Sequence, residues 1–177
     1  MHEMVPIDPL RQILDAAAEG DDVAMAELVR RTQSDVWRLC TALGSPGEEE
    51  DLVQETYLRA IRSAPNFRAD AKVKTWLLSI ARNVCADHVR HRQRQRRLVE
   101  RIIPTVQERL EPSDLSTHAL LADIAEERRD AFLLTQVVGI SYEEAAAVLD
   151  CPVGTIRSRV ARARADLLAA VRRSEAV

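Results

Sequence analysis

The stretch GISYEEAAAVLDCPVGTIRSRVARAR, Gly139 to Arg164, decides how the rest of the chain is read. Ser141 followed three residues later by Glu144 is a capping box, in which the hydroxyl accepts from the N3 amide and the carboxylate reaches back to the cap amide. The short helix it opens carries Ala145, Val148 and Leu149 inward, and Asp150, Cys151 and Pro152 interrupt it. Pro152 suits the first position of a second helix, where its missing N–H has no intrahelical partner, and Cys151 is then a chemically weak N-cap. At about 100° per residue, Ile156, Val160, Ala163 and Leu167 fall within about 60° of one another, which makes a buried stripe. Arg157, Ser158, Arg159, Arg162 and Arg164 cover the rest. Thr155, Arg157 and Ser158 stand where recognition helices place base-reading side chains. An arginine there forks onto guanine in the major groove. A solvated amphipathic helix would carry the same arginines. The capping box, the turn and the stripe together favour a DNA-binding helix-turn-helix.

The bulk composition agrees. A chain of 177 residues holds one ordinary domain or two small ones. Leu, Ala, Arg and Glu dominate, glycine and proline are scarce, and no β-branched alternation is bounded by turn residues, so an all-α fold is expected. The net charge of −3 hides a segregation. Ten basic residues face three acidic ones between Arg68 and Arg101, and six face one between Arg157 and Arg173. Two basic blocks in an acidic remainder suggest two nucleic-acid contacts and a further surface for something else. Cys40, Cys85 and Cys151 are odd in number and contain no C-x-x-C pair, which points to a reducing cytoplasm. The opening MHEMVPIDPL lacks the basic and apolar regions of a signal peptide, and no apolar run is long enough for a membrane span.

Along the chain, Asp8 and Pro9 read as N-cap and N1 of a first helix with Leu10, Ile13, Leu14 and Ala17 on one face, ended by Gly20. A second carries Met25, Leu28, Val29, Val36, Leu39, Cys40 and Leu43 and stops at Gly44 as a glycine C-cap. SPGEEED is a loop that leads into a third helix, whose first-turn acids suit its dipole, with Leu52, Val53, Tyr57, Ala60 and Ile61 inward. APNF breaks the chain. A fourth helix starts at about Ala71, turns Trp76, Leu77, Ile80, Ala81, Val84 and Val89 inward, and ends in the arginines Arg90 to Arg97. Residues 101–114 hold two prolines and no apolar face and read as a flexible linker. The C-terminal part restarts with Leu120, Leu121, Ile124, Phe132, Leu133 and Val137 and stops at Gly139. The expected organisation is therefore two small helical domains, 8–100 and 115–177, joined by that linker.

The fourth helix and its approach combine Phe67 and Trp76 with Lys72, Lys74, Arg82, Asn83 and the arginine tail. Positive charge gives salt-dependent phosphate affinity, and aromatics with an asparagine can hold bases that have left the stack. Trp76 also lies on the apolar stripe, where core packing is the plainer role, and the terminal arginines have a plainer role as a solvated end. Cys85, His88 and His91 spread over about 120° of a helix with no fourth ligand near, so no zinc site and no other metal is expected. No nucleophile–base pair, phosphate-cradling glycine loop or metal-type carboxylate cluster is present. Neither enzymatic activity nor a cofactor is expected.

In this order the motifs resemble those of an extracytoplasmic-function (ECF, group 4) sigma factor of bacterial RNA polymerase, from about Asp8 to Arg173. EEEDLVQETYLRAIR resembles conserved region 2.2, FRADAKVKTWLLSIARNVCADHVRHRQR resembles regions 2.3 and 2.4, and the opening stretch resembles region 4.2 in an actinobacterial style. The resemblance implies a σ2 domain that docks on the β′ coiled coil of core RNA polymerase through Asp51, Gln54, Glu55 and Arg59. It implies melting of the promoter −10 element and capture of a flipped base, with Phe67, Arg68, Lys72, Lys74, Trp76, Arg82 and Asn83 at the matching positions. It further implies a σ4 domain that binds the β flap and reads the −35 element with Arg157, Ser158, Ala161 and Arg162, while Thr155 and Arg159 lie near phosphate. Arg164 is expected on phosphate or in water. An anti-sigma factor, or occlusion of σ2 by σ4, is expected to mask these surfaces in the free protein. The sequence departs from the family at IAEER (Ile124 to Arg128), at RADAKVKTW and at Ala145 to Ala147. The alternative is a stand-alone helix-turn-helix regulator with a sensing or dimerising N-terminal domain, for which a second basic aromatic helix has no use.

Overall fold

The computed structural model describes residues 8–67, 71–102, 120–121 and 123–175. Among the described residues every regular element is helical and there is no strand, in agreement with the all-α expectation. Residue contacts divide the chain into two units, Met1–Cys85 and Ala86–Val177.

In the N-terminal unit, α1 (Pro9–Ala18) packs on α2 (Asp22–Leu43), and α2 packs on α3 (Glu49–Ser63). A 3₁₀ turn over Ala64–Asn66 follows, and then α4 (Val73–Ile102) begins. Asp8 caps α1 as its sequence position suggests, accepting from the Leu10 amide at 3.0 Å. Its second oxygen accepts from the Val73 amide at 2.6 Å, so one carboxylate ties the starts of α1 and α4. Leu10, Leu14, Leu28, Ala64, Phe67 and Val73 form the buried cluster beneath them.

Three details differ from the periodicity reading. First, Gly44 ends α2 with ordinary extended backbone, φ −78°, and not in the left-handed form of a glycine cap. It is required for space, because a Cβ there would overlap Leu52 Cδ1 and stand 2.5 Å from the Cys40 carbonyl oxygen. Second, Thr32 lies buried in the apolar stripe of α2. Its hydroxyl donates to the Leu28 carbonyl at 2.7 Å, which leaves Tyr57 as donor in the 2.8 Å contact between the two side chains. Burial pushes the Tyr57 phenol above its ordinary range. Third, α4 starts at Val73 and continues through the arginines to Ile102, into the stretch read as linker. Arginine and glutamine are good helix formers, so charge alone does not end a helix. The remainder of that linker, 103–114, lies outside the described residues.

Besides residues 86–102 of α4, the C-terminal unit contains helical residues 120–121, α5 (Glu126–Phe132), a π-helical turn (Leu133–Val138), α6 (Tyr142–Val148) and α7 (Val153–Glu175). Both α5 and α6 pack on α7. The π turn corrects one core assignment. Its extra residue per turn shifts the helical phase, so Leu134 and Val138 are buried while Val137, expected inward, is 42% exposed. Gly139 then leaves the turn at φ 79°, in the left-handed region that favours glycine.

Candidate nucleic-acid interface

On α3, Asp51, Gln54 and Leu58 form an exposed strip at helical spacing, with Leu58 52% exposed. Gln54 donates to Glu50 at 3.4 Å, and Arg59 bonds Glu55 at 2.7 Å, which groups the four polar positions singled out from the sequence on one helix. Beside the strip lies a groove of about 600 Å³ whose lining includes Met25, Val29, Val53, Tyr57, Leu58 and Ile61. Sequence reading marked the polar positions and missed Leu58, because an outward leucine looks like a break in the pattern.

The residues read as −10 contacts fall into distinct environments. Phe67 is 8% exposed and packs on the half-buried Trp76, ring centroids 4.8 Å apart. Arg11 lies 5.0 Å over the Phe67 ring and donates to its carbonyl at 3.2 Å. The aromatic pair is thus part of the core that fixes the entry to α4. Lys74 pairs with Asp35 at 2.5 Å, Lys72 is exposed, and Arg82 reaches its neighbour Asn83 at 3.4 Å. Arg68 lies outside the described residues. Exposed Asn83 lines a cleft of about 390 Å³ with Arg59, Arg62, Ser63, Asn66 and Ile80. Ser63 already donates to the Arg59 carbonyl at 2.6 Å, so the donor-bearing side chains left to the lining are those of Arg59, Arg62, Asn66 and Asn83. Asn66 and Arg62 had no sequence signal, since only the 3₁₀ turn brings α3's end opposite α4.

In the helix-turn-helix, the capping box is present in both directions. Glu144 N donates to Ser141 Oγ at 3.1 Å, and Ser141 N donates to Glu144 Oε2 at 3.0 Å. Ala145, Ala146 and Val148 are buried. The turn then passes through Asp150 at φ 47°. The cap of α7 is shifted by one residue from expectation. The Pro152 carbonyl accepts from Thr155 N at 2.8 Å and Ile156 N at 3.3 Å, so Pro152 itself is the N-cap and Cys151 precedes it. The expected stripe holds at Ile156, Val160 and Ala163, at most 1% exposed, while Leu167, expected to continue it, is only half-buried. Arg157, Ser158, Ala161 and Arg162 are exposed and Thr155 is half-buried. Ser158 turns its hydroxyl back onto the Thr155 carbonyl at 2.9 Å. Arg159 is half-buried and reaches Cys151 Sγ at 3.6 Å, while Arg164 bonds Gln136 Oε1 at 2.7 Å. Arg128 and Asp166 pair at 2.9 Å and hold α5 to α7. Among the described residues no cluster of three or more His, Cys, Asp or Glu could hold a metal, and no helix is long and apolar enough to cross a membrane. Elsewhere, the thiols of Cys40 and Cys85 are in hydrogen-bonding contact in the core of the N-terminal unit, which lowers the Cys40 thiol's pKa against the opposing effect of burial.

Known proteins share both halves of this arrangement. The family model for Sigma-70 region 2 matches residues 28–95, and that for Sigma-70, region 4 matches residues 115–167. An ECF RNA polymerase sigma factor of Mycobacterium tuberculosis, SigC, is 46% identical over 163 residues, covering 87% of this chain and 86% of its own. The ECF RNA polymerase sigma-E factor of Haemophilus influenzae is 32% identical over 173 residues, covering 86% of this chain and 89% of its own. Among solved structures, CnrH in complex with the cytosolic domain of CnrY matches with a TM-score of 0.71 at 29% identity, over 91% of this chain and 96% of that one. The sigma factor RpoE from Bartonella quintana, solved with the anti-sigma factor NepR, matches with a TM-score of 0.66 at 27% identity, over 83% of this chain and 96% of its own. The chain belongs to the ECF group of the sigma-70 family of RNA polymerase sigma factors. The mycobacterial relative is consistent with the actinobacterial style of its last helix.

Proposed function

We propose that this chain binds core RNA polymerase and directs it to promoters that carry a −10 and a −35 element, as a subunit without enzymatic activity of its own that works in the cytoplasm. The observation that carries the reading is the presence of two separate basic helical surfaces, one around Asn83 on α4 and one around Arg157 on α7. The strip Asp51, Gln54, Leu58 with the Glu55–Arg59 pair is the polymerase contact, meeting the β′ coiled coil, and σ4 meets the β flap. Asn83 contacts a −10 base in the cleft it shares with Arg62 and Asn66, with Lys72, Arg82 and Arg68 on the backbone. Phe67 and Trp76 act by setting the start of α4, and Lys74 through its pair with Asp35. On α7, Arg157, Ser158, Ala161 and Arg162 meet base edges in the major groove of the −35 element, and Thr155 and Arg159 flank phosphate. The domains are 8–100 and 115–177 with 101–114 between them, and an anti-sigma factor or occlusion of σ2 by σ4 masks the DNA-binding faces of the free protein.

The test is capture of core polymerase by the purified chain. Binding that is lost on reversing the charge of Asp51 and Glu55 is expected. A chain that ignores core polymerase and binds duplex DNA tightly by itself would instead be a stand-alone regulator.

A further inference from the structure

We propose that Thr135 and Gln136, which lie outside the helix-turn-helix, are positioning residues that hold Arg164 for a phosphate bordering the major groove. The proposal rests on α7 being the −35 reader. The buried Thr135 hydroxyl donates to the Ala131 carbonyl at 2.8 Å. With its proton used there, the same oxygen accepts from the Gln136 side-chain amide at 3.0 Å. That bond fixes the rotation of the amide. Gln136 Oε1 therefore faces the other way, and it accepts from Arg164 Nη2 at 2.7 Å. The result is a chain of three hydrogen bonds from a backbone carbonyl of α5 to a guanidinium on the outer side of α7, each bond orienting the next. The π turn provides the mount, since it sets Thr135 inward and Gln136 outward next to α7.

The position suits a phosphate. Arg164 follows Arg157 by seven residues, which at about 100° per residue leaves the two within about 20° in direction and about 10.5 Å apart along the axis. The major groove is about 12 Å wide, so when Arg157 meets base edges, Arg164 stands at the groove's phosphate wall. Gln136 occupies one nitrogen of a group with five N–H donors and leaves the others for a phosphate. Being neutral, it holds the guanidinium without cancelling its charge. An arginine ordered before DNA arrives loses less side-chain freedom on binding.

The test is a double-mutant cycle in promoter binding by the complete polymerase–sigma complex over a salt series. Arg164→Ala is expected to weaken binding without changing base preference and to reduce the slope of log affinity on log salt by about 0.9, the loss of one phosphate contact. Gln136→Ala is expected to weaken binding about three- to tenfold, again with base preference intact. The double variant should be no worse than Arg164→Ala alone, because Gln136 acts only through that arginine. Gln136→Glu keeps the bond and cancels the charge, so its slope should fall as for Arg164→Ala. Thr135→Ser retains the hydroxyl and should behave as the parent. Additive losses from Gln136→Ala and Arg164→Ala, or an unchanged salt slope for Arg164→Ala, would overturn the proposal. Arg157→Ala in the same series separates the two levels. If it leaves base selectivity untouched, α7 is not the −35 reader. If it abolishes selectivity while the cycle is additive, only the relay fails.

Discussion

Asp8 offers the sharpest energetic test of the fold beneath the σ2 surface. Each carboxylate oxygen has its own backbone donor: Leu10 N at 3.0 Å at the start of α1, and Val73 N at 2.6 Å at the start of α4. Asp8→Ala removes an N-cap, typically about 1 kcal/mol. It also removes a charge-assisted bond, about 1.5 kcal/mol, so about 2.5 kcal/mol in all. For a unit of this size, each kcal/mol lowers the melting midpoint by roughly 4–8 °C, so Asp8→Ala should melt about 10–20 °C lower. Asp8→Asn is the discriminating variant. Asparagine and aspartate cap helices almost equally well, but asparagine has only one acceptor oxygen. It can serve Leu10 or Val73, not both, and should lose about 1–1.5 kcal/mol. Thermal melts followed by circular dichroism, with hydrogen exchange at Leu10 and Val73, measure both effects. If Asp8→Asn is as stable as the parent, or if Val73 exchange is unmoved by Asp8→Ala, the bridging carboxylate is not what joins the two helices.

Three further outcomes follow from single contacts. Gly44→Ala is expected to cost about 1–3 kcal/mol in chemical denaturation, because its Cβ would press on Leu52 and on the Cys40 carbonyl; a neutral substitution would contradict the close approach. Ser141→Ala should cost about 1 kcal/mol and Ser141→Gly only a few tenths, measured as local exchange in α6; equal costs would remove the capping box as the support of that helix. Tyr57 binds its phenolic proton more tightly when folded than when unfolded. Its contribution is therefore present below about pH 10 and lost as pH rises through the folded value. Tyr57→Phe should melt with a shallower alkaline decline than the parent, and an identical decline would place the titration elsewhere.

What the sequence revealed, and what it hid, follows the range of the interactions. The capping box of Ser141 and Glu144 and the stripe Ile156, Val160, Ala163 are local patterns, and each is where its spacing puts it. The cap on Asp8 was legible for the same reason, but its second bond, to Val73, spans 65 residues and leaves no local trace. Val137 turned outward because a single wide turn changes the helical phase, and nothing in Leu133–Val138 announces it. Pro152 moved one position because helix starts are set by which carbonyl takes the first amide. Candidate site residues on exposed faces, such as Arg157 and Asn83, could be named from type and spacing. Asn66 beside Asn83 and Gln136 beside Arg164 could not, since packing alone brings them alongside.

The central claim is that the two basic surfaces serve one act, promoter selection by core polymerase. Run-off transcription on a promoter library, with core polymerase in the presence and absence of this chain, measures it directly. The account expects transcripts only when both are present, from start sites that share a two-part motif, with Arg157→Ala relaxing the upstream part and Asn83→Ala the downstream part. Transcription indifferent to the chain, together with tight binding of the chain alone to duplex DNA, would contradict it.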